Sequence, residues 1–136
     1  MLLIKFFTHP TTLILSFFFI IIIGEHWAGF YLWYLLMSLF HGVTYAIVGL
    51  IGFLLIIIGS YQIKNSKAII FFLNIIGAFF MDGSLFLFFA LDDSNYNIGT
   101  FYQVVPVVLI GLFTLVNCCF IIKNVVQLKS FITNKR

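Results

Sequence analysis

One apolar run, residues 68–91, constrains this chain more than any other feature. It reads AIIFFLNIIGAFFMDGSLFLFFAL, follows Lys67 and is followed by Asp92 and Asp93. A helix that crosses a lipid bilayer needs about 20 mostly apolar residues. The run is therefore long enough to cross a membrane once as a helix, and it would carry one acidic residue, Asp82, into the bilayer.

The composition of the whole chain agrees with that reading. Of its 136 residues, 63% are hydrophobic and 8% are charged, whereas soluble domains are about 45–50% apolar and about 25% charged. So few charges cannot cover a water-soluble surface. The sequence therefore predicts an integral membrane protein whose partners are the lipid bilayer and other membrane proteins, or further copies of itself. The net charge of +3 is too small to indicate a nucleic acid partner.

The pattern of apolar runs predicts an all-α fold, a four-helix transmembrane bundle that forms a single domain. Polar turns and loops separate the runs, and a basic tail follows the last of them. The predicted spans are residues 10–27, 36–61, 68–91 and 101–122, and the tail is residues 123–136.

Two local signals refine the first half of this prediction. Thr8, His9 and Pro10 have the form of a helix start, with a capping side chain and a proline at the first helical position. The apolar stretch 27–63 would be about 55 Å long as one helix, too long for one upright crossing. Its aromatic first residues suit the membrane interface, so we expect a bend near His41 and Gly42.

The charged residues predict the topology. With four spans, every basic residue falls on the side of the two termini and the middle turn; these residues are Lys5, Lys64, Lys67, Lys123, Lys129, Lys135 and Arg136. Glu25, Asp92 and Asp93 fall on the opposite side. Basic residues concentrate on the cytosolic side of membrane proteins. Both termini are therefore predicted to be cytosolic, or in the matrix for an organelle, in a multi-pass protein of a bacterial inner membrane or an organellar inner membrane.

Small and polar residues predict where helices meet. A ridge of small residues in the second span allows close approach of another helix, either in a dimer or within the chain; its members are Ser38, Gly42, Ala46 and Gly49. On the third span, a helical wheel separates Phe72, Phe79 and Phe86, predicted to face lipid, from a small and polar side; that side comprises Asn74, Gly77, Ala78, Met81 and Asp82. A hydrogen bond between Asn74 and Asn117 would join the third and fourth spans.

Asp82 is the main candidate for chemistry. It lies about 15 residues into its span and so in the outer half of the membrane. Ionisable residues at membrane depth are costly and often mark ion or proton pathways. The functional reading is a carboxyl group that binds a proton or cation, and the structural alternative is a protonated or hydrogen-bonded aspartate that joins helices.

A wider site is also conceivable in the outer half of the bundle. Glu25, His26, His41 and Asp82 combine two imidazoles with two carboxylates, a set that suits a divalent transition metal. Their spacing matches no metal motif, and each histidine equally suits the interface. The adjacent cysteines Cys118 and Cys119 would point about 100° apart on a helix, and we interpret them as packing residues. The sequence indicates no particular cofactor.

No sequence motif names a reaction: there is no nucleophile–base pair, phosphate-binding glycine loop or zinc-protease helix. Three hypotheses remain. The first is a non-catalytic subunit that acts by helix–helix association in a homo- or hetero-oligomeric membrane complex. The second is a small proton or cation channel or transporter that uses Asp82. The third is a membrane enzyme or metal-binding protein that uses the outer-half histidines and carboxylates.

Overall fold

The structure is a computed structural model that describes residues 2–24, 28–62, 67–91 and 97–134. Of the described residues, 84% are helical, and the all-α class is as predicted. A π-helical turn, Ile58–Gln62, continues α4, and a 3-10 turn, Ile98–Tyr102, precedes α6. The helices and strands in chain order are α1 (Leu2–Phe7), α2 (Pro10–Phe18), β1 (Ile21–Ile23), β2 (Ala28–Phe30), α3 (Tyr31–Leu39), α4 (Thr44–Ile57), α5 (Lys67–Ala90) and α6 (Val104–Thr133).

Three helices of the described chain are long and apolar enough to cross a membrane. They are Thr44–Tyr61, Lys67–Ala90 and Val104–Thr133. Their number makes this a multi-pass membrane protein. These helices correspond to the second, third and fourth predicted spans, while the first predicted span has a different structure.

The predicted first span, residues 10–27, is not one continuous helix. It starts as expected, because Nδ1 of His9 accepts a hydrogen bond from the backbone of Thr11 and Pro10 is the first helical residue. However, α2 has only 9 residues, about 14 Å of helix. The chain then forms an antiparallel hairpin of β1 and β2, in which Ile22 pairs with Gly29. A short apolar run of β-branched residues suits a buried strand as well as a helix, so its hydrophobicity could not tell the two apart.

Hydrogen bonds at its two ends show how far this first segment extends. Near the start of α2, the hydroxyl of Thr11 lies 2.6 Å from that of Tyr61, at the end of the helix that α4 begins. At the end of β1, the backbone N–H of Ile23 donates to Oγ1 of Thr100, just before α6. The segment 11–23 therefore extends from the π-helical turn that ends the α4 helix to the 3-10 turn that precedes α6.

The predicted second span, residues 36–61, began too early. Helix α3 ends at Leu39, and α4 starts only at Thr44. Between them Gly42 has a φ of +67°, a left-handed conformation that glycine adopts without steric cost. The break therefore lies where the sequence predicted a bend, and it divides the predicted span between two helices.

Helix α4, with the π-helical turn that continues it, packs closely against α5. A methyl group on Gly59 would lie 2.7 Å from Oδ1 of Asn74, and one on Gly49 would lie 2.6 Å from Oγ of Ser84. Small residues let helices in a membrane approach until such contacts form. The close approach of α4 and α5 therefore depends on glycines.

The two faces of α5 have the predicted orientation. Phe72, Phe79 and Phe86 are 57%, 59% and 72% exposed. On the opposite side, Ala78 and Met81 are completely buried. The aromatic stripe is thus the face directed away from the rest of the protein.

An aromatic cluster fills the centre of the protein around Tyr31, which is completely buried. Its ring lies 5.1 Å from that of Phe17 and 5.2 Å from that of Phe88, both edge-to-face. Phe113 of α6 contacts Phe17 in turn. This cluster joins α2, α3, α5 and α6.

Helix α6 is the longest element, with 30 residues. It continues through Lys123 as one helix to Thr133, so most of the predicted basic tail, residues 123–136, is helical. Nζ of Lys123 donates to the backbone oxygen of Thr8, at the end of α1. A cation at the C-terminal end of a helix is favourable because the carbonyl groups there are unpaired.

Candidate functional site

Asp82 lines an open groove between α5 and α6. The groove has a volume of about 460 Å³, and Asp82 itself is partly buried. The 3-10 turn contributes Phe101, and α6 contributes Ile110 and Thr114. The hydroxyl of Thr114 donates to the backbone oxygen of Ile110, 2.9 Å away. Asp82 is therefore a carboxyl group on an otherwise largely apolar wall.

Asn117 of α6 is the polar partner of Asp82. Its side chain is completely buried and lies close enough to the Asp82 carboxyl group to interact with it. Its Nδ2 donates to the backbone oxygen of Ala78, 3.2 Å away. Oδ1 of Asn117 is buried without a hydrogen-bond partner among the described residues.

That unpartnered oxygen bears on what the site can bind. A buried acceptor without a partner costs about 1–3 kcal/mol. If the Asn117 amide turns so that Oδ1 faces Asp82, a proton on the carboxyl group supplies the missing donor. The pair of side chains, carried by α5 and α6, therefore suits the binding of a proton or cation.

The structure does not bring His41 to Asp82. His41 lies exposed in the break between α3 and α4, where its Nδ1 is 2.9 Å from the backbone oxygen of Met37. It is not among the residues that line the groove. Glu25 and His26, the other members of the predicted set, lie outside the described residues. Within residues 2–24, 28–62, 67–91 and 97–134, no three His, Cys, Asp or Glu side chains form a group that could hold a metal ion.

The predicted packing ridge is divided by the helix break. Ala46 is buried, and Gly49 meets Ser84 across the α4–α5 contact. Ser38 lies on α3, where its hydroxyl is hydrogen-bonded to that of Tyr45. A Cβ added at Gly42 would meet no atom of the described chain within 4 Å, so the glycine serves the turn.

The predicted bond between Asn74 and Asn117 does not form. Asn74 instead donates from Nδ2 to Oδ1 of Asn124, which lies two helical turns beyond Asn117 on α6. Its own Oδ1 accepts a hydrogen bond from the hydroxyl of Ser60. Asn124 closes the network by donating to the backbone oxygen of Phe120. The two asparagines predicted to pair thus belong to two separate sites.

The sequence reasoning missed Asn124, although a signal for it existed. The buried residues of α6 recur every three or four positions and include Asn117 and Asn124, seven residues apart. Two polar residues at that spacing lie on one helix face. The periodicity of α6 would therefore have offered Asn124 as a second partner for Asn74.

A second polar cluster was also missed, between α3, α4 and α5. The hydroxyl of Ser84 donates to the backbone oxygen of Tyr45 and lies 2.9 Å from the hydroxyl of Tyr31. Because the only proton of Ser84 is used on Tyr45, Tyr31 is the donor in the second bond. Each of these groups has a partner, which indicates a structural role.

Comparison with protein-family models, curated protein sequences and solved structures found no match.

Proposed function

We propose that this chain is a non-catalytic subunit that acts by helix–helix association in a homo- or hetero-oligomeric membrane complex. It crosses a bacterial inner membrane or an organellar inner membrane four times, with both termini in the cytosol or the matrix. The distribution of the seven basic residues supports this topology. Support for a fourth crossing comes from the first segment, since Thr11 bonds at one end of the α4 helix and Ile23 bonds near the start of α6.

The observation that carries the association proposal is the outer face of α6. Positions separated by alternating four- and three-residue steps are all exposed along this helix, and we call them the α6 seam. Its members are Val104, Val108, Gly111, Leu115, Cys118, Ile122 and Val125. This spacing is that of helices that pack in a left-handed pair.

Two small residues lie in the middle of the α6 seam. A methyl group on Gly111 would meet no atom within 4 Å, so the glycine is not required by any neighbour within the described chain. Cys118, seven residues later, is also exposed. Small residues at such spacing allow a second helix to approach closely. The part of the α6 seam around Gly111 and Cys118 therefore suits the packing of a helix from another subunit.

The assembly state in a bilayer tests this proposal. The chain is extracted into lipid nanodiscs from membranes that contain tagged and untagged copies, and the chains in each particle are counted by native mass spectrometry. We expect untagged copies, or a second protein in fixed ratio, to accompany the tagged chain. Gly111→Trp is expected to disperse the assembly, whereas Val105→Trp, about 120° round the same helix from Gly111, is expected to leave it intact. Monomers accompanied by no other chain would contradict the proposal.

A second candidate function is proton or cation transfer at Asp82. The observation that favours it is the position of Asp82, a partly buried carboxyl group within an apolar helix, beside Asn117, whose buried Oδ1 has no hydrogen-bond partner among the described residues. Ion flux in liposomes tests it. Asp82→Asn is expected to lower the flux at least ten-fold, and Phe79→Ala, on the exposed stripe of α5, is expected to preserve it. Flux that is unchanged in Asp82→Asn would remove this candidate.

A further inference from the structure

The groove that Asp82 lines has the size of a small-molecule site. Its volume of about 460 Å³ lies within the range of about 300–1,000 Å³ for ligand pockets. Its walls come from α5, the 3-10 turn and α6, and they include Leu85, Phe86, Phe89, Phe101 and Ile110. Such a wall would bind an apolar molecular body.

The charge of the groove is one-sided. Asp82 is its one ionisable residue within the described chain, and no described lysine, arginine or histidine lines it. A positively charged group would therefore be the complement of this site.

Aromatic rings strengthen that complementarity. Phe89 and Phe101 have ring centroids 4.7 Å apart, and Phe86, on the same wall, is 72% exposed. The face of an aromatic ring attracts a cation within about 6 Å. Three phenylalanines around one carboxyl group thus suit a cation that also has a hydrocarbon surface.

The wall also argues against a bare metal ion as the occupant. Ca²⁺ takes about 6–8 oxygen ligands, and Mg²⁺ requires an octahedral set. Among the described residues of the groove, only Asp82 and Thr114 carry side-chain oxygens, too few for either set. An organic cation needs one counter-charge and apolar contact, which the groove provides.

We propose that the groove between α5 and α6 binds an amphiphilic organic cation, a quaternary ammonium or phosphonium ion with an aromatic or alkyl body. The charged centre lies against Asp82, and the body lies between Phe86, Phe89 and Phe101. This site does not depend on the association of subunits. It rests on the same carboxyl group as the second candidate function, but it concerns equilibrium binding and requires no transport of protons or inorganic ions.

Equilibrium dialysis of purified protein with radiolabelled tetraphenylphosphonium tests the site. We expect saturable binding of one cation per chain. Asp82→Asn removes the charge at nearly constant shape and is expected to weaken binding at least ten-fold. Phe86→Ala, at an exposed position that tolerates substitution, is expected to weaken it several-fold. Phe79→Ala is the matched control, because this residue is on the same stripe, is similarly exposed at 59% and does not line the groove.

Three outcomes would overturn the proposal: uptake that does not saturate, equal binding by Asp82→Asn and the unmodified chain, or equal weakening by Phe79→Ala and Phe86→Ala. Each would indicate partition onto apolar surface. Because dialysis measures binding alone, a failure here is distinct from a loss of ion flux in liposomes and from a change in the number of chains per nanodisc.

Discussion

Gly52 of α4 and Gly77 of α5 each lie against the other's backbone. A methyl group added to Gly52 would lie 2.8 Å from the carbonyl oxygen of Gly77, and one added to Gly77 would lie 2.8 Å from the carbonyl oxygen of Gly52. Backbone oxygens cannot turn aside as a flexible side chain can. The reciprocal contact therefore fixes the separation of the two helices.

The first prediction follows from this contact. Gly77→Ala is expected to destabilise the protein by about 1–3 kcal/mol, the usual cost of overpacking a tight contact, even though alanine favours a helix by about 1 kcal/mol. Gly83→Ala is the control on the same helix, because its methyl group would lie 3.9 Å from the Val48 side chain, an ordinary contact. Thermal unfolding in detergent should show a lower Tm for Gly77→Ala only. Equal effects of the two substitutions would contradict the packing described.

The second prediction concerns the hydrogen bonds around Ser84. Ser84→Ala removes both the bond to the Tyr45 backbone and the acceptor of the buried Tyr31 hydroxyl, so it is expected to cost more than Tyr31→Phe. A buried group left without a partner costs about 1–3 kcal/mol. In a double-mutant cycle, the pair should show a coupling of at least about 0.5 kcal/mol. Unfolding free energies that simply add would show that the two hydroxyls do not interact.

The third prediction concerns the polar network of Asn74. Asn74→Ala removes the bonds to Ser60 and Asn124. Interhelical hydrogen bonds in membranes average about 0.6 kcal/mol each, so a total loss of about 1 kcal/mol is expected from unfolding measurements. Gln127→Ala, at an exposed position of α6, should change nothing. A Gln127 variant as unstable as the Asn74 variant would indicate a general sensitivity of α6 and its neighbours instead.

The fourth prediction tests the topology of the third span. In a background without native cysteines, Tyr102→Cys should react with a membrane-impermeant maleimide from the outer side. Lys67→Cys should react only after the membrane is opened. Both positions are exposed in the structure; Lys67 is the first residue of α5, and Tyr102 follows the opposite end of that helix. Labelling of both residues from one side would contradict a crossing between them.

The sequence was informative where a helix was long and had one clear face. The wheel of α5 separated the exposed phenylalanines from Ala78 and Met81, because its 24 residues complete enough turns for the period of 3.6 to be read. The sequence pattern was not informative for residues 10–27, because a run of phenylalanine and isoleucine has no period. Strand β1 lies in this run and forms because its backbone groups hydrogen-bond to those of β2. Such pairing between two segments leaves no local signal in the sequence.

For the candidate site, the sequence could identify Asp82 but not its partner. An aspartate within an apolar run stands out by its chemistry alone. Asn117 was paired with Asn74, although the sequence does not give the offset of one helix along its axis relative to the next. Asn117 and Asn124 lie on one face of α6, two turns apart, and Asn124 is level with Asn74 whereas Asn117 lies beside Ala78.

Photo-crosslinking from the two adjacent cysteines tests the association of α6 most directly. A benzophenone maleimide is attached to Cys118 in a Cys119→Ser variant, and to Cys119 in a Cys118→Ser variant, in native membranes. Cys118 lies on the α6 seam and is exposed, whereas Cys119 lies about 100° away and is partly buried by its own chain. We expect a protein–protein adduct from Cys118 and little or none from Cys119. Lipid adducts alone from Cys118, or equal protein adducts from both positions, would contradict it.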